Sequence, residues 1–302
     1  MSELKQPLVA DIKRNSLDDG PGIRSVVFFK GCPLSCVWCH NPECVKSAPE
    51  IVFRPDPCVG CGSCREVCPE NAITGEGPSA IVREKCTACG LCAEECPSGA
   101  LTLVGESYTA EELAGTLIRD KAFYDNSGGG VTLSGGEPTL HLDYTAEVAR
   151  LLHEAGVHVC LETCGNFDWD RVEEKLLPYV DLVYVDIKLV DPELHKKYAG
   201  LDNSTILANI EKLLAQEGLD VLIRVPLVPE VTATTENLTA ISEWLSDHGV
   251  DRLALLPYNP LWLTKARGLG KRLSYIHEDW MSQKEREKVK GIFSDFELER
   301  DI

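Results

Sequence analysis

Twelve of the fourteen cysteines fall between Cys32 and Cys96, and this crowding constrains the chain more than any other feature. The N-terminal stretch "MSELKQPLVADIKRNS" lacks the apolar core of an export signal, so the expected setting is a reducing cytoplasm. Thiols packed this densely in such a compartment read as metal ligands rather than disulfides. Eight of them form a repeat: "CVGCGSCREVCP" from position 58 recurs as "CTACGLCAEECP" from position 86. Both runs read C-x2-C-x2-C-x3-C-P. Zinc sites favour two C-x2-C pairs set a dozen or more residues apart, which is a different pattern.

The repeated run is that of the bacterial ferredoxins, in which the fourth cysteine of each run ligates the other cluster. On that pattern Cys58, Cys61, Cys64 and Cys96 hold one [4Fe–4S] cluster, and Cys86, Cys89, Cys92 and Cys68 hold another. "NAI" after the first run and "GAL" after the second continue the pseudo-symmetry of a two-cluster ferredoxin.

The remaining four of the twelve occupy "KGCPLSCVWCHNPEC", residues 30–44. Cys32, Cys36 and Cys39 are spaced C-x3-C-x2-C, a three-thiolate arrangement that leaves one ligand position open. Just before them "SVVFFKG" is β-branched and aromatic, a buried strand by pattern. The thiols therefore follow a strand's C-terminal end, where α/β barrels place their chemistry.

With Trp38 before its last cysteine, this motif resembles that of the radical S-adenosylmethionine (SAM) superfamily. Residues 18–43, "DDGPGIRSVVFFKGCPLSCVWCHNPE", are similar to the start of the glycyl radical enzyme activating enzymes, the pyruvate formate-lyase activase-like group. Some of these carry an eight-cysteine insert, as this chain does. The resemblance implies that Cys32, Cys36 and Cys39 bind three irons of a [4Fe–4S] cluster. The fourth iron is then chelated by the amino and carboxylate groups of SAM. Cys44 lies outside the motif and reads as a packed thiol.

Downstream, strand-like runs alternate with helical ones. "GVTLSGG", "VHVCLET", "LVYVDIKL", "VLIRVPLV" and "DRLALLPY", with the strand at residue 25, make six βα units and hence a parallel sheet. The expected fold is α/β: a partial (β/α)6 radical SAM barrel formed by residues 1–45 and 106–302. An inserted two-[4Fe–4S] ferredoxin-like α+β domain takes residues 46–105.

The strand ends supply the expected cofactor contacts. Gly135, Gly136 and Glu137 lie in "SGGEPTL", where paired glycines admit close backbone approach. The resemblance makes this the segment that meets the methionine amino group. Glu162 ends "LET", while Asp186 and Lys188 in "VDIK" share one face by alternation. The resemblance places these and Arg224 around SAM, with a monovalent cation beside the methionine carboxylate. Asn259 in "LLPYNPLW" stands where the group usually has a histidine; it can hydrogen-bond adenosine but cannot carry a proton.

A net charge of −18 argues against nucleic acid as partner, and no 18-residue apolar run marks a membrane span. By resemblance, electron transfer from the reduced cluster cleaves SAM to methionine and a 5′-deoxyadenosyl radical. That radical takes hydrogen from a glycine of a partner glycyl radical enzyme. The insert would relay electrons from an external flavodoxin or ferredoxin in an anaerobic cell. Asn259 and the unusual ending after it also admit a small-molecule target within the same lineage, and the insert alone would suit an electron carrier.

Overall fold

The computed structural model describes residues 6–75, 81–300 and 302. Its strands are β1 (Leu8–Ser16), β2 (Arg24–Phe29), β3 (Glu50–Phe53), β4 (Leu101–Val104), β5 (Glu106–Ser107) and β6 (Gly130–Gly135). They continue with β7 (His158–Thr163), β8 (Leu182–Asp186), β9 (Asp220–Leu227), β10 (Arg252–Pro257) and β11 (Glu297–Leu298). The main sheet runs β11-β10-β9-β8-β7-β6-β2-β1-β5. From β2 through β6 to β10 every pairing is parallel. These are the six strands expected of the partial barrel.

Parallel strands need helical crossovers, and the helices come where apolar residues recur at helical spacing. Leu142–Glu154 buries Tyr144, Val148, Ala149 and Leu152 on one face. Thr235–Asp247 starts at Thr234, whose side chain accepts from the Asn237 amide, a conventional N-cap. These helices cover the outer face of the sheet, and their buried residues with Val27, Val131, Val159, Val183 and Ile223 make the large core. Among the described residues no helix is long and apolar enough to cross a membrane.

Alternation sends the other side chains into the barrel. Cys160, Leu182, Tyr184 and Leu222 form a small apolar layer there. The fully buried Arg24 donates to Thr132 Oγ1 at 2.7 Å and Val131 O at 2.6 Å, and among the described residues it forms no ion pair with a carboxylate.

Beyond the six strands, β1 pairs antiparallel with β2 and carries β5 on its other edge. Sequence pattern alone did not single out β1, although "LVADIK" alternates at strand period.

The cysteine-rich segment builds a separate two-stranded sheet from β3 and β4, antiparallel, with Phe53 opposite Leu101. Its repeat is visible in the backbone. The short helices Ser63–Glu66 and Leu91–Glu94 each follow a left-handed glycine, Gly62 at φ 85° and Gly90 at φ 91°. A side chain there would be strained, so each run needs glycine at the turn that presents its cysteines.

Candidate active site

The inward-facing ends of β6 to β9 open on a cavity of about 290 Å³. Cys32, Cys36, Trp38 and Cys39 line one side of it. Gly135, Gly136, Glu162, Asp186, Lys188 and Arg224 line the others. Ten expected site residues from five separate stretches thus meet at one space, joined by Ser134, His40 and Cys164.

The polar side chains form one continuous chain. Ser134 Oγ donates to Glu162 Oε2 at 2.5 Å, and Arg224 Nη1 to Glu162 Oε1 at 2.5 Å. Arg224 Nε donates to Asp186 Oδ1 and Lys188 Nζ to Asp186 Oδ2, both at 2.9 Å. Burial raises both carboxyls, but the outcomes differ. Arg224 and Lys188 together outweigh burial at Asp186 and hold it down at about 2. At Glu162 burial outweighs Arg224 and the Ser134 hydroxyl and keeps it above the ordinary carboxylate value. Charges alternate along the chain, as suits a zwitterionic ligand with one ammonium and one carboxylate.

The thiols have a different chemistry. Burial, and then Glu137, pushes Cys32 up to about 12; burial does the same to Cys36, against the opposing charge of Lys188. As free thiols they stay protonated at neutral pH, and a metal would displace the protons. Three half-buried soft donors facing an open cavity fit three irons of a cluster with one position left for another ligand. Among the described residues no three Cys, His, Asp or Glu side chains gather closely enough to hold a single metal ion. The thiols surround a space instead.

Backbone contacts position the cysteine loop. Gly136 N donates to Phe29 O and Glu137 N to Gly31 O, both at 2.8 Å; Gly31 N donates to Cys44 O at 2.7 Å. A Cβ on Gly136 would stand 2.1 Å from Gly31 O and 2.6 Å from Cys44 O. The second glycine is required by this close approach.

Glu137, expected beside the cofactor, has its carboxylate engaged by the protein. Its carboxylate is fully buried and accepts from Thr139 N, Thr139 Oγ1, Thr163 Oγ1 and Cys164 N, at 2.7–3.1 Å. It ties the β6 loop to the end of β7. Asn259 is likewise engaged. Its Oδ1 accepts from Leu261 N at 2.9 Å, two residues on, and this Asx turn precedes the helix Trp262–Gly268. Asn259 does not line the cavity.

The helix it precedes braces the cysteine loop. Lys265 Nζ donates to Glu43 Oε1 at 2.7 Å and Asn41 Oδ1 at 3.1 Å. Desolvation of the ring, with Lys265 nearby, lowers His40 below the ordinary imidazole value, although the residue as a whole is exposed at the cavity edge. Cys44 is buried and off the cavity.

In the insert, one cavity is lined by Cys58, Cys61, Cys64 and Cys96, and a second by Cys68, Cys86, Cys89 and Cys92. The two groups are those of the ferredoxin pattern, with each fourth cysteine exchanged between runs.

Family models match accordingly. Residues 84–239 match the radical SAM superfamily and residues 50–97 the 4Fe-4S dicluster domain. The motif Cys32–Cys36–Cys39 lies before both spans, and only the fold brings it to them. The trans-4-hydroxy-L-proline dehydratase activating enzyme of Clostridioides difficile is 38% identical, over 95% of this chain and 96% of that one. The benzylsuccinate synthase activating enzyme of Thauera aromatica is 41% identical, over 90% of this chain and 84% of its own. A radical SAM methyltransferase from Sphaerobacter thermophilus shares the fold alone, with a TM-score of 0.51 at 13% identity, covering 97% of this chain and 76% of that one.

Fold and site together define an iron–sulfur enzyme of the SAM-cleaving type. The chain belongs to the radical SAM superfamily and, within it, to the glycyl radical enzyme activating enzymes.

Proposed function

We propose that this chain carries three [4Fe–4S] clusters and converts a glycine of a partner glycyl radical enzyme into a stored radical. Cys32, Cys36 and Cys39 would hold the active cluster, Cys58, Cys61, Cys64 and Cys96 a second, and Cys68, Cys86, Cys89 and Cys92 a third. When loaded, the active cluster with SAM supplies a 5′-deoxyadenosyl radical that abstracts hydrogen.

The observation carrying this reading is the shared cavity: three metal-binding thiols face the Glu162–Arg224–Asp186–Lys188 chain across it. Lys188 would pair with the methionine carboxylate, and the carboxylates of Asp186 and Glu162 with its ammonium, the ribose or a monovalent cation. Trp38, 4% exposed, gives the adenosine an apolar wall and helps exclude water. Gly135 and Gly136 leave backbone carbonyls within reach of the amino group. Residues 46–105 would act as an electron-relay domain fed by a flavodoxin or ferredoxin in an anaerobic cytoplasm, with residues 1–45 and 106–302 as the barrel.

The test mixes the reconstituted protein anaerobically with SAM, reductant and the glycyl radical enzyme of the same genome. An EPR doublet growing on the partner is expected, and Cys36→Ala should abolish it with loss of about four irons per chain. Deoxyadenosine formed only with a small metabolite, and never a radical on a partner, would overturn the proposal.

A further inference from the structure

Arg83 lies between the two cysteine runs, three residues before Cys86. Its Nη1 donates to Ile51 O at 2.5 Å, and the Ile51 side chain lines the cavity ringed by Cys68, Cys86, Cys89 and Cys92. Its Nη2 donates to Gly268 O at 3.0 Å, at the end of the helix that braces the cysteine loop of the barrel. The third group is unusual: Nε is buried and has no hydrogen-bond partner among the described residues. Nor does any carboxylate among them form an ion pair with this guanidinium. Arg83 as a whole is half-buried, but an N–H sealed from solvent without an acceptor is costly, and the cation that carries it favours a nearby anion. Cys86 is the first of the nearby groups whose negative charge would support it, followed by Glu50 and Cys92.

The other site is built differently. Cys58 and Cys61 are both exposed and Val59 between them is 69% exposed; on the Arg83 side Cys89 is exposed, Cys68 and Cys86 are half-buried and Cys92 is buried. On the barrel side of the seam the contact is intimate. A Cβ on Gly268 would stand 2.7 Å from Phe53 O, and Lys271, just beyond, donates through Nζ to Pro42 O at 2.5 Å, within the cysteine loop.

We propose that Arg83 is the counter-ion and positioning residue of the cluster held by Cys68, Cys86, Cys89 and Cys92, and that through Gly268 it makes this the inner cluster of the insert, facing the barrel. The Cys58 cluster is then the outer one, where electrons enter. This rests on the reading that the insert holds two clusters. Positive charge and N–H donors near a cluster raise its reduction potential, so losing them lowers it.

The test is an EPR-monitored redox titration of the fully reconstituted protein. Arg83→Gln removes the charge but keeps an amide for the two carbonyls; Arg83→Lys keeps the charge. With iron content unchanged, Arg83→Gln should shift one insert cluster to more negative potential and Arg83→Lys should restore most of the shift. The shift should survive in a Cys58→Ala/Cys61→Ala background and vanish in Cys86→Ala/Cys89→Ala. No shift in either variant, or a shift that persists without Cys86 and Cys89, overturns the assignment. A wild-type protein that loads only about four irons, and loses none on Cys61→Ala, refutes the two-cluster reading instead.

Discussion

Asp186 shows at the residue scale how a buried carboxylate is kept charged. It receives Arg224 Nε and Lys188 Nζ, both at 2.9 Å. Its folded value of about 2 lies below the about 3.9 of an unfolded chain. Such a group contributes stability above pH about 4, and that contribution is lost as pH falls from there toward 2. Asp186→Asn should therefore flatten the acid limb of stability across that window, measured by denaturant unfolding of the metal-free protein. At neutral pH the same variant leaves two buried cations less compensated and should cost about 3–5 kcal/mol. A neutral-pH loss below about 1 kcal/mol would show that solvent already screens the group. Asp186 and Lys188 were legible as strand-end residues on one face, and Glu162 and Arg224 through the family resemblance; that these side chains and Ser134 join into one chain was not, since the link spans four strands.

Among the elements, the β6 turn and the helix Trp262–Gly268 do the positioning. The turn offers no room: Gly136 packs on Gly31 and Cys44 backbone, and Glu137 spends both oxygens holding β7. Gly136→Ala should force the cysteine loop outward, destabilising by about 1–3 kcal/mol. The same change should reduce the iron retained at Cys32, Cys36 and Cys39. Thermal unfolding and iron analysis check the two effects together, and unchanged iron loading would show that the loop tolerates displacement. Asn259 belongs to this scale as well. Read in the sequence it competes for a ligand role, but its oxygen is engaged by the Leu261 amide ahead of the helix that braces Glu43 and Asn41. A side chain's nearest backbone amide can decide its role before any ligand does.

For the whole molecule, the insert and the barrel meet along β3, Arg83 and Gly268, and the relay proposal gives this seam a consequence. Cys61→Ala should spare SAM cleavage driven by dithionite, which reduces the active cluster directly, while slowing it with a protein donor. Assays of deoxyadenosine with the two reductants check this, and equal losses would end the relay idea. The sequence by itself determined the six parallel strands, because βα alternation is local, and the grouping of eight cysteines, because the runs repeat with ferredoxin spacing. It also singled out Cys32, Cys36 and Cys39 by spacing. Only the tertiary structure decided what surrounds them: the burial of Glu137, the Ser134-to-Lys188 chain, the bracing by Lys265, and the spare N–H of Arg83. The physical reason is that periodicity and spacing act within a few residues. Hydrogen bonding and burial are instead satisfied by whichever groups the fold brings near, and Arg83 and Gly268 are far apart in the chain.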